Sequence, residues 1–243
     1  MPATPAWPPQ SALRLFVDTP LSEGAEVEIE GAQAHYLLSV MRLKTGDYVM
    51  LFDDRSGEWA AEATAVGKRD LTLSLREQTR PREAVPDLWL LAAPIKKARI
   101  DWVAEKACEL GVALYRPVLT RRTIVERINL DRLRAHMIEA AEQCGRTALP
   151  VLAPPTKLAD LLSDWPAERG LYFADEGGGE RFAPSPGPAA ILIGPEGGFD
   201  EAERAAIRAL PAARAISLGP RILRAETAAL AAVSAWMAAA GDW

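Results

Sequence analysis

The chain has 243 residues, a hydrophobic content of 49% and a formal net charge of −5 from 28 Lys/Arg against 33 Asp/Glu. That composition supports a buried core and excludes global disorder. No apolar run is long enough to span a bilayer, and the length suits one large domain or a medium domain with a small one.

Met1–Gln10 carries four prolines and no basic segment, so it reads as a short disordered lead rather than a secretory signal. Five short strands are expected next, at Leu13–Val17, Glu26–Ile29, Tyr48–Phe52, Trp59–Val66 and Leu71–Leu75, each bounded by turn material. One helical piece, Ala32–Val40, interrupts them. Such a run of brief strands predicts a small barrel over residues 1–80. Arg80–Pro86, polar and with two prolines, reads as a linker.

Beyond residue 85 strand and helix alternate. Leu88–Ala93 is strand-like, and Ile100, Val103, Ala107 and Leu110 keep helical spacing up to Gly111. A strand at Ala113–Leu119 precedes a helix capped by Asn129, with Leu130, Leu133, Met137 and Ala141 on one side and an end near Gly145. Thr156 is expected to cap a further helix carrying Leu158, Leu161, Leu162 and Trp165. Strands follow at Leu171–Ala174, Ala189–Ile193 and Arg214–Leu218. Asp200 and Glu203 have capping-box spacing ahead of a helix ended by Pro211, and an alanine-rich helix closes the chain from Ala225 to Ala240. The alternation predicts an α/β domain over residues 85–243, with a parallel sheet covered on both faces.

Charge is unevenly spread. Residues 1–95 hold nine Lys/Arg against fourteen Asp/Glu, residues 96–146 eleven against seven, and residues 147–243 eight against twelve. A basic middle between acidic ends suits a local anionic partner as well as a set of solvated helix faces. Cys108 and Cys144 lie far apart and are expected to be packed thiols rather than a disulfide.

Several chemistries lose support. There is no phosphate-binding G-x-x-x-x-G-K-[ST] loop, no G-x-G-x-x-G after a strand and no G-x-S-x-G elbow. His35 and His136, the only histidines, lack metal-ligand spacing to the cysteines, so no metal site is expected. Two stretches stand out instead: Ile191-Leu192-Ile193-Gly194-Pro195-Glu196-Gly197-Gly198-Phe199-Asp200-Glu201 and Ser217-Leu218-Gly219-Pro220-Arg221-Ile222-Leu223-Arg224-Ala225-Glu226-Thr227-Ala228. Each is an apolar run that stops at glycine, turns through proline and enters a helix. They read either as plain strand-to-helix turns or as two loops lining one site, with glycines that let backbone approach a ligand.

Together with His35-Tyr36-Leu37, Val40-Met41-Arg42, Gly46-Asp47, Lys106-Ala107-Cys108-Glu109-Leu110-Gly111-Val112, Thr120-Arg121-Arg122 and Glu142-Gln143-Cys144-Gly145-Arg146, these loops give the chain its resemblance to a known family. It resembles the RsmE family of 16S ribosomal RNA uracil-N3 methyltransferases, in the SPOUT superfamily, over nearly its whole length. The resemblance implies a PUA-like RNA-binding barrel ahead of a trefoil-knotted SPOUT methyltransferase domain. It also implies a homodimer, a cytoplasmic location and a substrate in 16S ribosomal RNA, within the small ribosomal subunit. The implied cofactor is S-adenosyl-L-methionine, which carries its own activated methyl. It is expected between the loop after Leu171–Phe173, the loop of Ile193, Gly194, Pro195, Glu196 and Gly197, and the loop of Leu218, Gly219, Arg221, Ile222 and Leu223, with Thr227 beyond.

Uracil N3 is a poor nucleophile while protonated, so a proton acceptor or an anion stabiliser is needed. Arg224 is the candidate for orienting the base or offsetting its charge, and Glu196 or Glu226 for positioning or deprotonating it. Glu226 reads equally as a first-turn carboxylate favoured by the helix dipole, and Glu196 as a brace for backbone N–H groups. Ala225 stands where many family members carry Thr. Candidate RNA contacts are Arg14, His35, Arg42 and Lys44 in the barrel, and Lys96, Lys97, Arg99, Arg121, Arg122 and Arg146 in the basic middle. The leucine, valine and tryptophan of the last helix (Leu230, Val233, Trp236) suit a subunit interface or the core. Alternative functions are a ribose 2′-O or transfer-RNA methyltransferase of the same superfamily, a non-catalytic RNA-binding assembly factor, and an enzyme holding a nucleotide phosphate at the Gly194 loop.

Overall fold

The computed structural model describes residues 13–125 and 127–243, and every side chain among them except that of Lys97. The expected N-terminal lead lies outside the described residues. Contacts divide the chain into two units. One comprises the chain up to Ala84 together with Ala141–Ala148, and the other Val85–Ala140 with Leu149–Trp243.

In the first unit, β1 (Arg14–Phe16), β2 (Glu26–Ile29), β3 (Tyr48–Phe52), β4 (Glu58–Val66) and β5 (Leu71–Arg80) form one sheet in the order β1-β3-β4-β5-β2. β1 runs parallel to β3, and the other pairs are antiparallel. Three register shifts between β4 and β5 bend the ladder, as bulges do wherever a sheet must curl. Alternating residues such as Leu71, Leu73 and Leu75 meet Val49 and Leu51 in the core, with Ala34 and Leu37 also buried there.

The helix expected at Ala32–Val40 is split. An α-helical turn, α1 (Gly31–His35), passes into a π-helical turn at Tyr36–Val40, where the Met41 N–H donates to the Tyr36 carbonyl at 3.0 Å. The wider turn leaves Tyr36, Val40 and Met41 exposed and ends at Arg42 with φ of 57°. The expected linker does not begin at Arg80. That residue closes β5, and its guanidinium is bound to Glu58.

The second unit holds β6 (Leu88–Ala92), α2 (Lys97–Glu109), β7 (Leu114–Leu119), α3 (Leu130–Cys144, whose last turn belongs to the first unit), β8 (Val151–Leu152), β9 (Thr156–Lys157), α4 (Leu158–Ser163), β10 (Gly170–Ala174), β11 (Glu180–Arg181), β12 (Ala189–Ile193), α5 (Glu201–Ala209), β13 (Ala213–Ser217) and α6 (Ala225–Ala240). Its strand order is β11-β13-β10-β12-β6-β7-β8, with β9 beside β7, and every pair is parallel. All five residues of β12 are buried, as a parallel sheet covered on both faces requires.

The caps divide. Asn129 Oδ1 accepts from the Arg132 N–H at 2.9 Å, and Asp200 forms a full capping box with Glu203. Thr156 is not a cap: it pairs in β9, and α4 starts after Lys157 without a side-chain cap. Val233 and Trp236 of α6 are buried within the chain, so they serve the core. Neither cysteine is in a disulfide: Cys108 is packed in the core as expected, whereas Cys144 is exposed.

Candidate active site

Parallel strands point their C-terminal ends to one edge, and an open α/β sheet presents its ligand crevice there. The segments leaving β10, β12 and β13 at that edge enclose a cavity of about 430 Å³, within the range of small-molecule sites. The segment after β10 gives Asp175, Glu176 and Gly178, and that after β12 gives Gly194 through Glu196, then Gly198 and Phe199. The segment after β13 supplies Leu218 through Arg224. Ala225 and Ala228 of α6 and Arg204 of α5 complete the wall.

Two glycines set this shape. Gly198 has φ of 67°, and a Cβ there would run into the Glu176 carboxylate; Gly219 has φ of 117°. Both angles lie in the left-handed region that side-chain-bearing residues avoid. The second loop is also tied from the segment after β7. Arg122 Nη1 donates to the Gly197 carbonyl at 2.5 Å, Arg121 N–H to Glu203 Oε1 at 2.7 Å, and Arg121 Nη1 to Asp200 Oδ2 at 3.0 Å. The Glu203 backbone N–H, with Arg121 adding to it, holds the Asp200 carboxyl below its usual range.

Of the expected cofactor residues, Ile193, Gly194, Pro195, Glu196, Leu218, Gly219, Arg221, Ile222 and Leu223 line the cavity. Leu171 and Phe173 do not; they are core residues of β10, buried on a sheet packed on both sides. Gly197 offers its carbonyl to Arg122, and Thr227 is exposed on α6 and is not among the lining residues. Glu196 and Arg224 stand on the cavity wall, as does Ala225.

Glu226 is not part of the lining. It is buried, with Oε1 at 3.4 Å from Arg99 Nε, while Arg99 Nη1 lies 3.5 Å from Glu196 Oε1. Residues overlooked in the sequence are Asp175, Glu176 and Arg204, although Asp175-Glu176-Gly177-Gly178-Gly179 after a strand was the available signal. The fully buried Asp175 carboxylate holds Arg204 at 3.0 Å and Arg208 at 2.7 Å, which pins the first loop to α5.

The cationic candidates separate by burial. Arg14 and Arg146 are corrected: both point inward within the first unit. Arg14 Nε bonds Glu58 Oε2 at 2.6 Å and its Nη2 the Arg146 carbonyl at 2.6 Å, while Arg146 Nε bonds Glu83 Oε1 at 2.9 Å. His35, Arg42 and Lys44 are exposed in the first unit, and Lys96, Arg121 and Arg122 in the second. The Lys97 side chain lies outside the described ones.

A parallel α/β sheet with a three-loop cleft in one unit, and a curled five-stranded sheet in the other, define a nucleic-acid-modifying class once the comparisons are added. Residues 81–237 match the RNA methyltransferase domain and residues 29–76 the RNA methyltransferase PUA domain. The chain is 31% identical over 229 residues to ribosomal RNA small subunit methyltransferase E of Rickettsia conorii, covering 91% of this chain and 93% of that protein. The Synechocystis protein of the same name is 32% identical, covering 92% of this chain and 76% of its own length. The crystal structure of the Neisseria gonorrhoeae ribosomal RNA small subunit methyltransferase E, bound to S-adenosyl methionine, superposes with a TM-score of 0.85 at 28% identity, over 93% of this chain and 97% of that one. The chain therefore belongs to the ribosomal RNA small subunit methyltransferase E family.

Proposed function

We propose that the protein uses S-adenosyl-L-methionine to methylate N3 of a uridine in 16S ribosomal RNA, on the small ribosomal subunit in the cytoplasm. The observation that carries this reading is the cleft at the strand ends of β10, β12 and β13, with Arg224 and Glu196 on its wall. The residues present suit the cofactor. Ile193, Leu218 and Leu223 offer apolar surface for an adenine face, the glycine loops expose backbone polar groups, and Glu176 and Glu196 set negative charge beside a sulfonium.

When bound, the cofactor supplies a methyl already made electrophilic by its sulfonium. Everything else is asked of the chain. The loops hold the reacting carbon in line and exclude water. Arg224 orients the uracil and offsets the negative charge that develops on the ring as N3 loses its proton. Glu196, partly exposed on the wall, receives that proton.

The exposed Arg42, Lys44, Lys96, Arg121 and Arg122 contact phosphates and give affinity without base identity. Membership of the family supports a trefoil knot in the C-terminal segment and a homodimer. The test is methylation of 16S ribosomal RNA, free and within small subunits, followed by mass spectrometry of the digested nucleosides. N3-methyluridine is the expected product; a ribose 2′-O-methylated nucleoside, a methylated transfer RNA or no product contradicts the reading.

A further inference from the structure

Arg99 sits in the first turn of α2, beside the cleft but outside its lining. The strand before it, β6, is next to β12, and the Ala93 N–H donates to the Ile193 carbonyl at 2.9 Å. The start of α2 is thus fixed against the root of the Gly194 loop. From there one guanidinium reaches two carboxylates on separate elements, Glu196 in that loop at 3.5 Å and Glu226 in the first turn of α6 at 3.4 Å.

Glu226 follows Arg224 by two residues, so whatever fixes Glu226 fixes the approach of Arg224. It is also an odd group to bury. Its side chain is only 10% exposed, and its Oε2 has no hydrogen-bond partner among the described residues. A buried carboxylate whose ion pair at 3.4 Å leaves one of its oxygens unsatisfied is a poor stabilising device, and an unsatisfied buried polar atom calls for a reason other than stability.

We propose that Arg99 is a positioning residue. Shared between Glu196 and Glu226, it holds the Gly194 loop and the first turn of α6 at one separation, and through them the relative placement of Glu196 and Arg224. This rests on the reading of the cleft as the methyl-transfer site. Arg suits the task because its planar fork addresses two carboxylates at once, whereas a lysine ammonium is a point charge. Without it, the two carboxylates repel each other, and the loop and helix end drift apart. A misplacement of about 1 Å at a reacting centre costs on the order of a hundredfold in rate.

The experiment compares the full-length parent with Arg99→Ala and Arg99→Lys. Amide hydrogen exchange is followed on the cofactor-free proteins, and kinetics with S-adenosylmethionine and 16S ribosomal RNA. In Arg99→Ala, peptides covering 193–198 and 224–228 exchange faster together, while those covering 171–175 do not. The same variant loses about tenfold to a hundredfold in kcat, with KM for RNA and calorimetric affinity for S-adenosylmethionine close to parental, and Arg99→Lys recovers part of both effects. If Arg99→Ala does not fold, Arg99→Met combined with Glu226→Gln removes the unpaired buried charge and is put through the same measurements. Unchanged exchange in either segment, a parental kcat, or a loss confined to cofactor affinity overturns the proposal. A parent that binds no S-adenosylmethionine overturns the reading of the cleft instead, and the exchange result still decides the clamp.

Discussion

Two arginine–glutamate clusters in this molecule use the same chemistry to opposite ends. In the first unit, Glu58 is saturated. Arg14 Nε lies at 2.6 Å, Arg80 Nε at 3.0 Å, Arg80 Nη2 at 2.8 Å and the Thr79 hydroxyl at 3.0 Å. Its arginines spend their remaining donors on the carbonyls of Glu142, Gly145 and Arg146, which is how residues 141–148 are drawn into that unit. In the second unit, Arg99 spans Glu196 and Glu226 at 3.4–3.5 Å and leaves a buried oxygen of Glu226 with no hydrogen-bond partner among the described residues. A saturated cluster fixes a fold, since every polar atom lost from water is repaid. An unsaturated one next to a cleft is available to function.

The sharpest way to break this contrast is Glu58→Gln. Removing one member of a buried, fully bonded cluster costs about 3 kcal/mol of stability, read by denaturant unfolding, with S-adenosylmethionine affinity unchanged. Burial pushes the Glu58 carboxyl up, but hydrogen bonds from Arg80 and Arg14 outweigh it and hold the group below its usual range. A carboxyl depressed in the folded state stabilises above its unfolded-state value and loses that contribution as pH falls through the folded-state value. The stability gap between parent and Glu58→Gln therefore narrows with acidification below the ordinary carboxylate range.

Arg224→Ala comes next in size. It lowers the single-turnover rate by about a hundredfold with cofactor affinity retained; a normal rate removes Arg224 from the mechanism. Gly198→Ala follows, since the left-handed backbone there costs an L side chain about 1–2 kcal/mol and the new Cβ displaces the Glu176 carboxylate. Calorimetry is expected to show S-adenosylmethionine binding weakened by about tenfold. The smallest effect belongs to Arg42→Ala: a modest loss of RNA affinity, and a salt dependence of binding shallower by about one unit of log–log slope. A flat salt response in the parent contradicts phosphate contact altogether.

The contrast also explains what the sequence could disclose. The strand–helix alternation, the Asp200 capping box and the two glycine loops are local patterns, and they lie where their spacing places them. The resemblance points to the segment after β10, but the side chains that reach the cleft there are not the two apolar ones of the strand. Leu171 and Phe173 lead into the cleft yet point into a doubly covered sheet, while Asp175 and Glu176, two and three residues beyond Phe173, reach the wall. Arg14 and Arg146 looked like RNA contacts because a sequence displays a charge but not the partner that neutralises it. Their carboxylates are 44 and 63 residues away along the chain. Arg99 was legible only as one more basic residue, since its role depends on two carboxylates 97 and 127 positions away meeting at the end of α2. The π-helical turn at Tyr36–Val40 kept the helical spacing of a single α-helix and so left no separate mark.

Everything functional depends on what occupies the cleft between the segments that follow β10, β12 and β13. A crystal structure of this protein grown with S-adenosylmethionine tests it most directly. The account predicts the adenosyl group held between those three segments, with its methyl facing Arg224 and Glu196. A cofactor bound at any other place, or a cleft closed by its own loops while the cofactor is present at saturating concentration, contradicts it.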